Sequence, residues 1–219
     1  MNDAQSDKQR FIVVEGPIGV GKTTLARRLA DTLGTQLLLE GADENPFLAR
    51  FYKNPRDAAL PTQLFFLFQR WRQLQELRQS DMFKPAHVAD FLMEKDRLFA
   101  ELTLDDEELK LYEQVYQQLT LDVPQPDLVI YLQAPVEVLL KRIEKRGNAT
   151  ERGISAAYLR SVSQAYSEFF YHYLDAPLLI VNTSEINLAE NEADYETLLQ
   201  RIAQIAHGRH YFNPLPEQL

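Results

Sequence analysis

A glycine-rich stretch that follows an apolar run is the feature that most restricts the fold of this chain. The run "FIVVE" (residues 11–15) leads directly into "GPIGVGKTT" (residues 16–24), which fits the pattern G-x-x-x-x-G-K-[ST]. Glycines let such a loop turn its backbone N–H groups toward phosphates, and the positive end of the following helix adds to the attraction. Because a strand-like run precedes the loop and a helical pattern (residues 25–33) follows it, the sequence predicts a phosphate-binding loop.

The residue types of this loop have separate expected tasks. Lys22 reaches the β- and γ-phosphates of a nucleotide, and the hydroxyl of Thr23 is an expected Mg²⁺ ligand. The residues predicted to bind the nucleotide are Gly16, Pro17, Ile18, Gly19, Val20, Gly21, Lys22, Thr23 and Thr24.

The order of the remaining apolar runs indicates a parallel sheet. Short apolar runs at residues 11–14, 36–39, 86–89, 128–132 and 178–181 are separated by longer stretches with helical periodicity. Strands that alternate with helices form parallel sheets covered on both faces. We therefore predict an α/β fold with a five-stranded parallel sheet flanked by helices, in a single domain with tails at residues 1–9 and about 208–219.

Two helices are marked by local signals. Pro135 in the first turn and Gly147 after the end predict a helix at residues 135–146. In residues 57–79 apolar side chains recur at spacings of three and four, which predicts a long amphipathic helix with Leu64, Leu67, Phe68, Trp71, Leu74 and Leu77 on one face.

Composition excludes several classes of partner and site. The net charge of −9 argues against extended nucleic acid or an anionic membrane as the main partner, since both require excess Lys and Arg. With no cysteine and only four histidines, thiolate chemistry is excluded and a zinc site is not expected. The N-terminal residues are polar and no apolar run is long enough to cross a bilayer, so a soluble cytoplasmic protein is expected.

The loop alone does not choose between a switch, a motor and a transferase. A GTPase would need D-x-x-G after a later strand and N-K-x-D for guanine, yet the only D-x-x-G falls inside the first predicted helix at residues 31–34. No apolar strand ends in the Asp-Glu pair of a motor ATPase. Transfer of a phosphoryl group to a small acceptor remains.

Such a transferase needs a carboxylate near the acceptor and cations over the γ-phosphate. Glu40 ends the second predicted strand, at the edge where parallel strands face a ligand, and Glu44 is the rival candidate. Arg142 and Arg146 lie four residues apart on one helix and are followed by a polar loop, which predicts an arginine-bearing lid at about residues 142–153. A solvated basic helix end is the alternative.

Gln63 and Arg70 lie two helical turns apart and project from nearly the same side of the long helix. An amide that both donates and accepts hydrogen bonds suits the edge of a nucleobase, and the guanidinium offers further donors.

Together these residues resemble a known family. The loop "GPIGVGKTT", the strand-end Glu40, "NPFLARFY" (45–52), "TQLFFLFQR" (62–70), "KDRLFA" (95–100), the lid "RIEKRGNATERGI" and the late "VNTSEIN" resemble the deoxyribonucleoside kinases, and more closely the bacterial deoxyadenosine/deoxyguanosine branch. The resemblance extends over about residues 10–205.

The resemblance implies a role for each matched residue. Glu40 accepts the proton of the nucleoside 5′-hydroxyl as that oxygen attacks the γ-phosphate of ATP, and Arg142 and Arg146 are lid arginines. Tyr52 and Glu151 bind the sugar 3′-hydroxyl. Gln63 and Arg70 contact the base, which Phe99 flanks.

Three positions depart from the family pattern. Relatives carry Glu-Arg-Ser or Asp-Arg-Ser after the third strand, where an ungapped alignment gives Ala89, Asp90 and Phe91, so the arginine that should help both hydroxyl and phosphate is missing. Asp90 lies one position from the expected magnesium carboxylate and is the candidate magnesium ligand, directly, through water, or with the register shifted by one residue. Lys95 stands where relatives often have an Asp that reads the base, and the neighbouring Asp96 is an alternative acceptor. Asn148 stands where some relatives have a third lid arginine.

The predicted function is 5′-phosphorylation of a deoxyribonucleoside, with a purine favoured, by Mg-ATP in nucleotide salvage. A thymidylate-type nucleoside monophosphate kinase and a non-catalytic nucleotide sensor are the rival hypotheses. The resemblance also implies a homodimer packed through helices, which the apolar "LFFLF" (64–68) permits.

Overall fold

A six-stranded, wholly parallel sheet organises the chain. The computed structural model describes residues 11–80, 86–120 and 123–214. The strands are β1 (Phe11–Glu15), β2 (Gln36–Leu38), β3 (His87–Ala89), β4 (Leu128–Gln133), β5 (Leu178–Asn182) and β6 (Arg209–Phe212), in the spatial order β2-β3-β1-β4-β5-β6. The predicted parallel α/β fold is confirmed, and all five predicted strands are present.

The prediction of five strands is wrong by one, because β6 lies in the segment expected to be a tail. Residues 209–212 pair with β5 in parallel register, with Leu178 opposite Arg209 and Val181 opposite Phe212. An edge strand pairs on one side only and needs no apolar run, and "RHYF" is half polar. The predicted tail at residues 1–9 lies outside the described residues.

The described segments contain eight helices, most of which cover the two faces of the sheet. They are α1 (Lys22–Leu33), α2 (Leu48–Lys53), α3 (Pro55–Ser80), α4 (Lys95–Thr103), α5 (Asp106–Leu119), α6 (Val136–Arg146), α7 (Ala156–His172) and α8 (Glu192–Ile202). Short 3₁₀ turns occur at Ala42–Glu44 and Ala149–Gly153. Nowhere in the described ranges is a helix both long and apolar enough to cross a membrane.

Period-two alternation in the strands sorts the core into two layers. On β1, Ile12 and Val14 pack toward α1, α6 and α8, whereas Phe11 and Val13 pack toward α3, α4, α5 and α7. The central strands are buried on both faces, which explains their nearly continuous apolar sequences.

The long helix α3 is present, but it is not amphipathic in the predicted way. Phe68, expected on the apolar face, is 46% exposed, while Thr62, Gln63 and Arg70 are buried. The helix packs one side on the core and turns a second side into a cavity, so polar residues are buried there. Pro61 lies within the helix and cannot donate to the carbonyl of Asp57, which instead accepts from Arg50 Nη2 at 3.3 Å.

Candidate active site

A cavity lies at the carboxyl ends of β1, β2 and β3. Its walls are the loop before α1, helices α2 to α4, the turn after α6 and the first part of α7. The predicted site residues that line it are Ile18, Gly19, Lys22, Thr23, Glu40, Tyr52, Gln63, Arg70, Asp90, Lys95, Phe99, Arg146 and Glu151. Residues far apart in sequence thus meet at the sheet edge where parallel folds bind ligands.

The loop between β1 and α1 has the backbone that its glycines predict. Gly16 has a φ of 149°, and a Cβ there would lie 2.3 Å from the carbonyl oxygen of Leu132. The ammonium of Lys22 donates to the carbonyls of Gly16 at 2.7 Å and Pro17 at 3.3 Å. Burial lowers the pKa of this ammonium below its usual value. Lys22 therefore lies folded against the loop that it is expected to serve.

Asp90 links the loop to the end of β2. Its Oδ2 accepts a 2.5 Å hydrogen bond from Thr23 Oγ1, and its Oδ1 accepts from the backbone N–H of Glu40 at 2.7 Å. Burial raises the pKa of Asp90, an effect that these two hydrogen bonds oppose. The two predicted magnesium ligands, Thr23 and Asp90, are thus in direct contact.

Glu40 lies among cations. Arg70 Nη2 donates to its Oε1, and Lys95 Nζ lies 3.1 Å from Oε1 and 3.2 Å from Oε2. Burial alone would raise the pKa of this carboxyl, but Arg70, Lys95 and Lys22 outweigh burial and lower it to about 2. The rival Glu44 accepts instead from Gln69 Nε2 at 2.9 Å.

The pair expected to contact the base is buried along α3. Gln63 Nε2 donates to Thr103 Oγ1 at 3.2 Å, and the Arg70 guanidinium lies 4.9 Å from the centre of the Phe66 ring. Arg70 Nη1 also donates to Asp96 Oδ1. The residue that contacts Arg70 is therefore Asp96, the alternative acceptor next to Lys95, and not Lys95 itself. Phe99 packs edge-on against Tyr166 at 6.0 Å between ring centres.

The turn after α6 closes over α2. Arg146 Nη2 donates to both carboxylate oxygens of Glu151 at 2.6 Å, and Asn148 Nδ2 donates to Asp43 Oδ1 at 3.3 Å. Burial, with the charge of Glu151 nearby, raises the pKa of the Tyr52 hydroxyl well above its usual range. A Cβ on Gly153 would lie 3.0 Å from the carbonyl oxygen of Tyr52, so glycine permits this close approach.

The two lid arginines do not share partners. Arg142 donates to the carbonyl oxygen of Thr183 at 2.6 Å, to its hydroxyl at 3.0 Å and to the carbonyl of Val20 at 3.3 Å. It lines a separate groove beside Gly21, Thr24 and Leu188, on the other side of the loop. Arg146 lines both the groove and the cavity. One helix thus presents a cation to each.

Several residues of the site escaped sequence reasoning. Glu15 is 0% exposed and contacts Lys95, and Tyr158 and Tyr166 line the cavity. A charged residue at the end of an otherwise apolar strand was the available signal for Glu15. Tyr158 belongs to a "YL" pair at residues 158–159 that is part of the family resemblance, though no role came with it. Nothing marked Tyr166, which lies on the same helix among aromatic residues of the core.

A parallel sheet with a phosphate-binding loop beside a cavity is typical of a phosphotransferase. A sequence profile described as "Deoxynucleoside kinase" matches residues 12–207. The chain belongs to this family, as its motifs predicted. It is therefore a kinase that takes a phosphate from a nucleotide and acts on small molecules.

Similarity to individual proteins agrees with this assignment. The chain is 34% identical over 200 residues to the deoxyguanosine kinase of Bacillus subtilis, covering 89% of this chain and 97% of that protein. It is 29% identical to the deoxyadenosine/deoxycytidine kinase of the same organism, covering 94% and 98%. Deoxyadenosine kinase from M. mycoides with bound dATP has the same fold, with a TM-score of 0.76 at 24% identity over 88% of this chain and 98% of that one.

Proposed function

We propose that this chain transfers the γ-phosphate of ATP to the 5′-hydroxyl of a deoxyribonucleoside, with a purine preferred. The observation that carries this proposal is the shared cavity of Lys22 and Glu40, which brings a phosphate-binding cation and an acceptor-side carboxylate together. Relatives named deoxyguanosine and deoxyadenosine kinases support the purine preference.

Thr23 and Asp90 fit a magnesium ion bound with the nucleotide. Mg²⁺ takes oxygen ligands, and one carboxylate with a hydroxyl and phosphate oxygens is a common set in kinases. The contact between Thr23 Oγ1 and Asp90 Oδ2 supplies both protein oxygens at one point of the cavity. When bound there, the ion would neutralise charge on the phosphates.

Glu40 receives the proton of the acceptor hydroxyl. A bond forms from the 5′ oxygen to the γ-phosphorus, the bond from that phosphorus to the oxygen of ADP breaks, and the hydroxyl proton moves to a Glu40 oxygen. A carboxylate with a pKa of about 2 is ionised at neutral pH but is a weak base, so it orients the hydroxyl first and takes the proton late. The loose transition state of phosphoryl transfer requires no earlier proton removal.

Cations from two sides stabilise the transferred phosphoryl group. Lys22 exchanges the carbonyls of Gly16 and Pro17 for phosphate oxygens, and Arg146 approaches from the turn after α6. Arg142, in the groove beside Thr183, is proposed to contact the nucleoside part of ATP. Most of the rate enhancement in such sites comes from positioning and charge.

The far end of the cavity binds the nucleoside. Tyr52 and Glu151 hold the sugar 3′-hydroxyl, and Gln63, Arg70 and Phe99 hold the base, with Asp96 orienting Arg70. Within the described residues, Arg70 Nε and Asp96 Oδ2 are buried and make no hydrogen bond. Such groups suit a base that offers both a donor and an acceptor.

The setting of the enzyme is also part of the proposal. We propose that it acts in the cytoplasm, in nucleotide salvage, as a homodimer. Phe68 on the exposed side of α3 is consistent with packing between subunits. Light scattering on the purified protein measures the oligomeric state directly, and a monomer at all concentrations would contradict the dimer.

Turnover tests the proposed reaction against its rivals. Purified protein is incubated with Mg-ATP and a panel of deoxynucleosides and nucleoside monophosphates, and products are separated by chromatography. Conversion of a deoxynucleoside to its 5′-monophosphate is expected. Reaction of monophosphates alone would support the thymidylate-type hypothesis, and ATP binding without any reaction would support the sensor hypothesis.

A further inference from the structure

One buried ammonium joins two carboxylates at the centre of the site. Lys95, the first residue of α4, is 2% exposed. Its Nζ lies 3.4 Å from Glu15 Oε2, 3.1 Å from Glu40 Oε1 and 3.2 Å from Glu40 Oε2. Glu15 is the last residue of β1 and Glu40 follows β2. The charge of Lys95 is therefore engaged between these two acids rather than directed toward a base.

Glu15 is held by three donors from three parts of the chain. It accepts from the backbone N–H of Gly16 at 2.8 Å, from the backbone N–H of Leu92 at 2.9 Å and from the Tyr166 hydroxyl at 2.9 Å. A carboxylate fixed by so many donors has little freedom to move. The position of Lys95 is therefore set by an anchor that directly precedes the phosphate-binding loop.

Residues 90–94, between β3 and α4, supply no cation to Glu40. When the family alignment is shifted by one residue, Phe91 takes the position of the missing arginine. Phe91 is 1% exposed and packs in the apolar core with Leu67. Arg70, the second cation that contacts Glu40, also forms an ion pair with Asp96. Lys95 is the group that contacts both oxygens of Glu40.

We propose that Lys95, anchored by Glu15, is a positioning residue that holds the Glu40 carboxylate toward the acceptor hydroxyl and so replaces the arginine absent after β3. The proposal rests on the proposed kinase reaction. Because Lys95 acts through Glu40 and not on the base, its loss lowers kcat equally for every nucleoside. A base-reading lysine would change the order of preference instead.

The test compares Lys95→Met and Lys95→Arg with the exposed control Lys110→Met on α5. Measured are kcat and KM for deoxyguanosine, deoxyadenosine and deoxycytidine, the Kd for ATP by calorimetry, and the thermal transition. We expect Lys95→Met to lower kcat about 100-fold for every nucleoside that the wild type accepts, with the Kd for ATP changed less than about threefold. Lys95→Arg should recover about tenfold of that loss because it keeps the charge, and Lys110→Met should match the wild type.

Three results would overturn the proposal. One is a folded Lys95→Met with kcat within about threefold of the wild type, and another is a change of more than about tenfold in the kcat/KM ratio between bases. If Lys95→Met does not fold, the double variant Glu15→Gln, Lys95→Met is used, because it removes the two opposite charges together. A wild-type kcat in that double variant is the third result that would overturn the proposal. Failure of the kinase reaction itself is distinguishable, because the wild type would then turn over no nucleoside at all.

Discussion

Replacement of Glu40 by glutamine removes the charge of the carboxylate with little change in the shape of the side chain, and so tests its role at the acceptor side. Arg70 keeps its contact with Asp96, and Lys95 keeps Glu15, so neither cation loses all its partners. The variant is therefore expected to fold. What it loses is the carboxylate that we propose orients the 5′-hydroxyl and receives its proton.

The size of the effect follows from the pKa of Glu40. General-base catalysis contributes typically about 10²–10⁴-fold. A carboxyl with a pKa of about 2 has a weak driving force for proton removal, so the low end applies. We expect kcat to fall about 100-fold, or about 2.7 kcal/mol of transition-state stabilisation. The Kd for ATP should stay within about threefold, since Lys22 and the loop are untouched.

Steady-state kinetics with the best deoxynucleoside and calorimetry with ATP measure both quantities. Glu44→Gln is the matched control, because Glu44 lies four residues later and accepts from Gln69 instead. It should keep kcat within about twofold. A Glu40→Gln enzyme with wild-type kcat would refute this assignment and leave Asp90 as the candidate carboxylate.

Three further perturbations have specific outcomes. Tyr52→Phe should raise KM for deoxynucleosides about tenfold, which corresponds to the loss of one hydrogen bond, and should leave KM for 3′-deoxy analogues unchanged. The control Tyr211→Phe changes a residue on β6 that is 63% exposed, and it should alter neither KM in the same assay. Chelation by EDTA should abolish turnover, and Asp90→Asn should raise the Mg²⁺ concentration for half-maximal activity by about tenfold or more; an unchanged magnesium titration would remove Asp90 from the metal site. Gly16→Ala should weaken ATP binding more than about tenfold, because its Cβ would lie 2.3 Å from the Leu132 carbonyl oxygen. The control Gly34→Ala has open space around its Cβ, so it should lower the melting temperature through backbone strain but leave the Kd for ATP unchanged.

Local signals predicted the elements that they govern. The phosphate-binding loop, the five predicted strands and the helix that ends just before Gly147 each depend on contiguous residues, and the structure contains them. The strand β6 was missed because its pairing with β5 comes from tertiary packing rather than from an apolar run. Polar burial on α3 was missed for the same reason, since the cavity is formed by other elements.

The assignment around Lys95 and Asp96 shows a limit of alignment by spacing. Neighbouring residues on an α-helix point about 100° apart, so a shift of one residue exchanges the two side chains between different surroundings. Here Asp96 contacts Arg70 and Lys95 contacts Glu15 and Glu40. The sequence contains both residues but not the orientation of α4, which the packing of that helix determines.

Three acids lie at or just after the carboxyl ends of three adjacent strands, and their partners distinguish them. Glu15, at the end of β1, accepts from two backbone N–H groups and a buried tyrosine and is therefore committed to structure. Asp90, after β3, contacts the hydroxyl of Thr23, as suits an oxygen ligand for a cation. Glu40, after β2, contacts two cations and lines the cavity, where an acceptor hydroxyl can reach it. The strand order β2-β3-β1 brings the three together, and their different surroundings agree with the three proposed roles of anchor, metal ligand and proton acceptor.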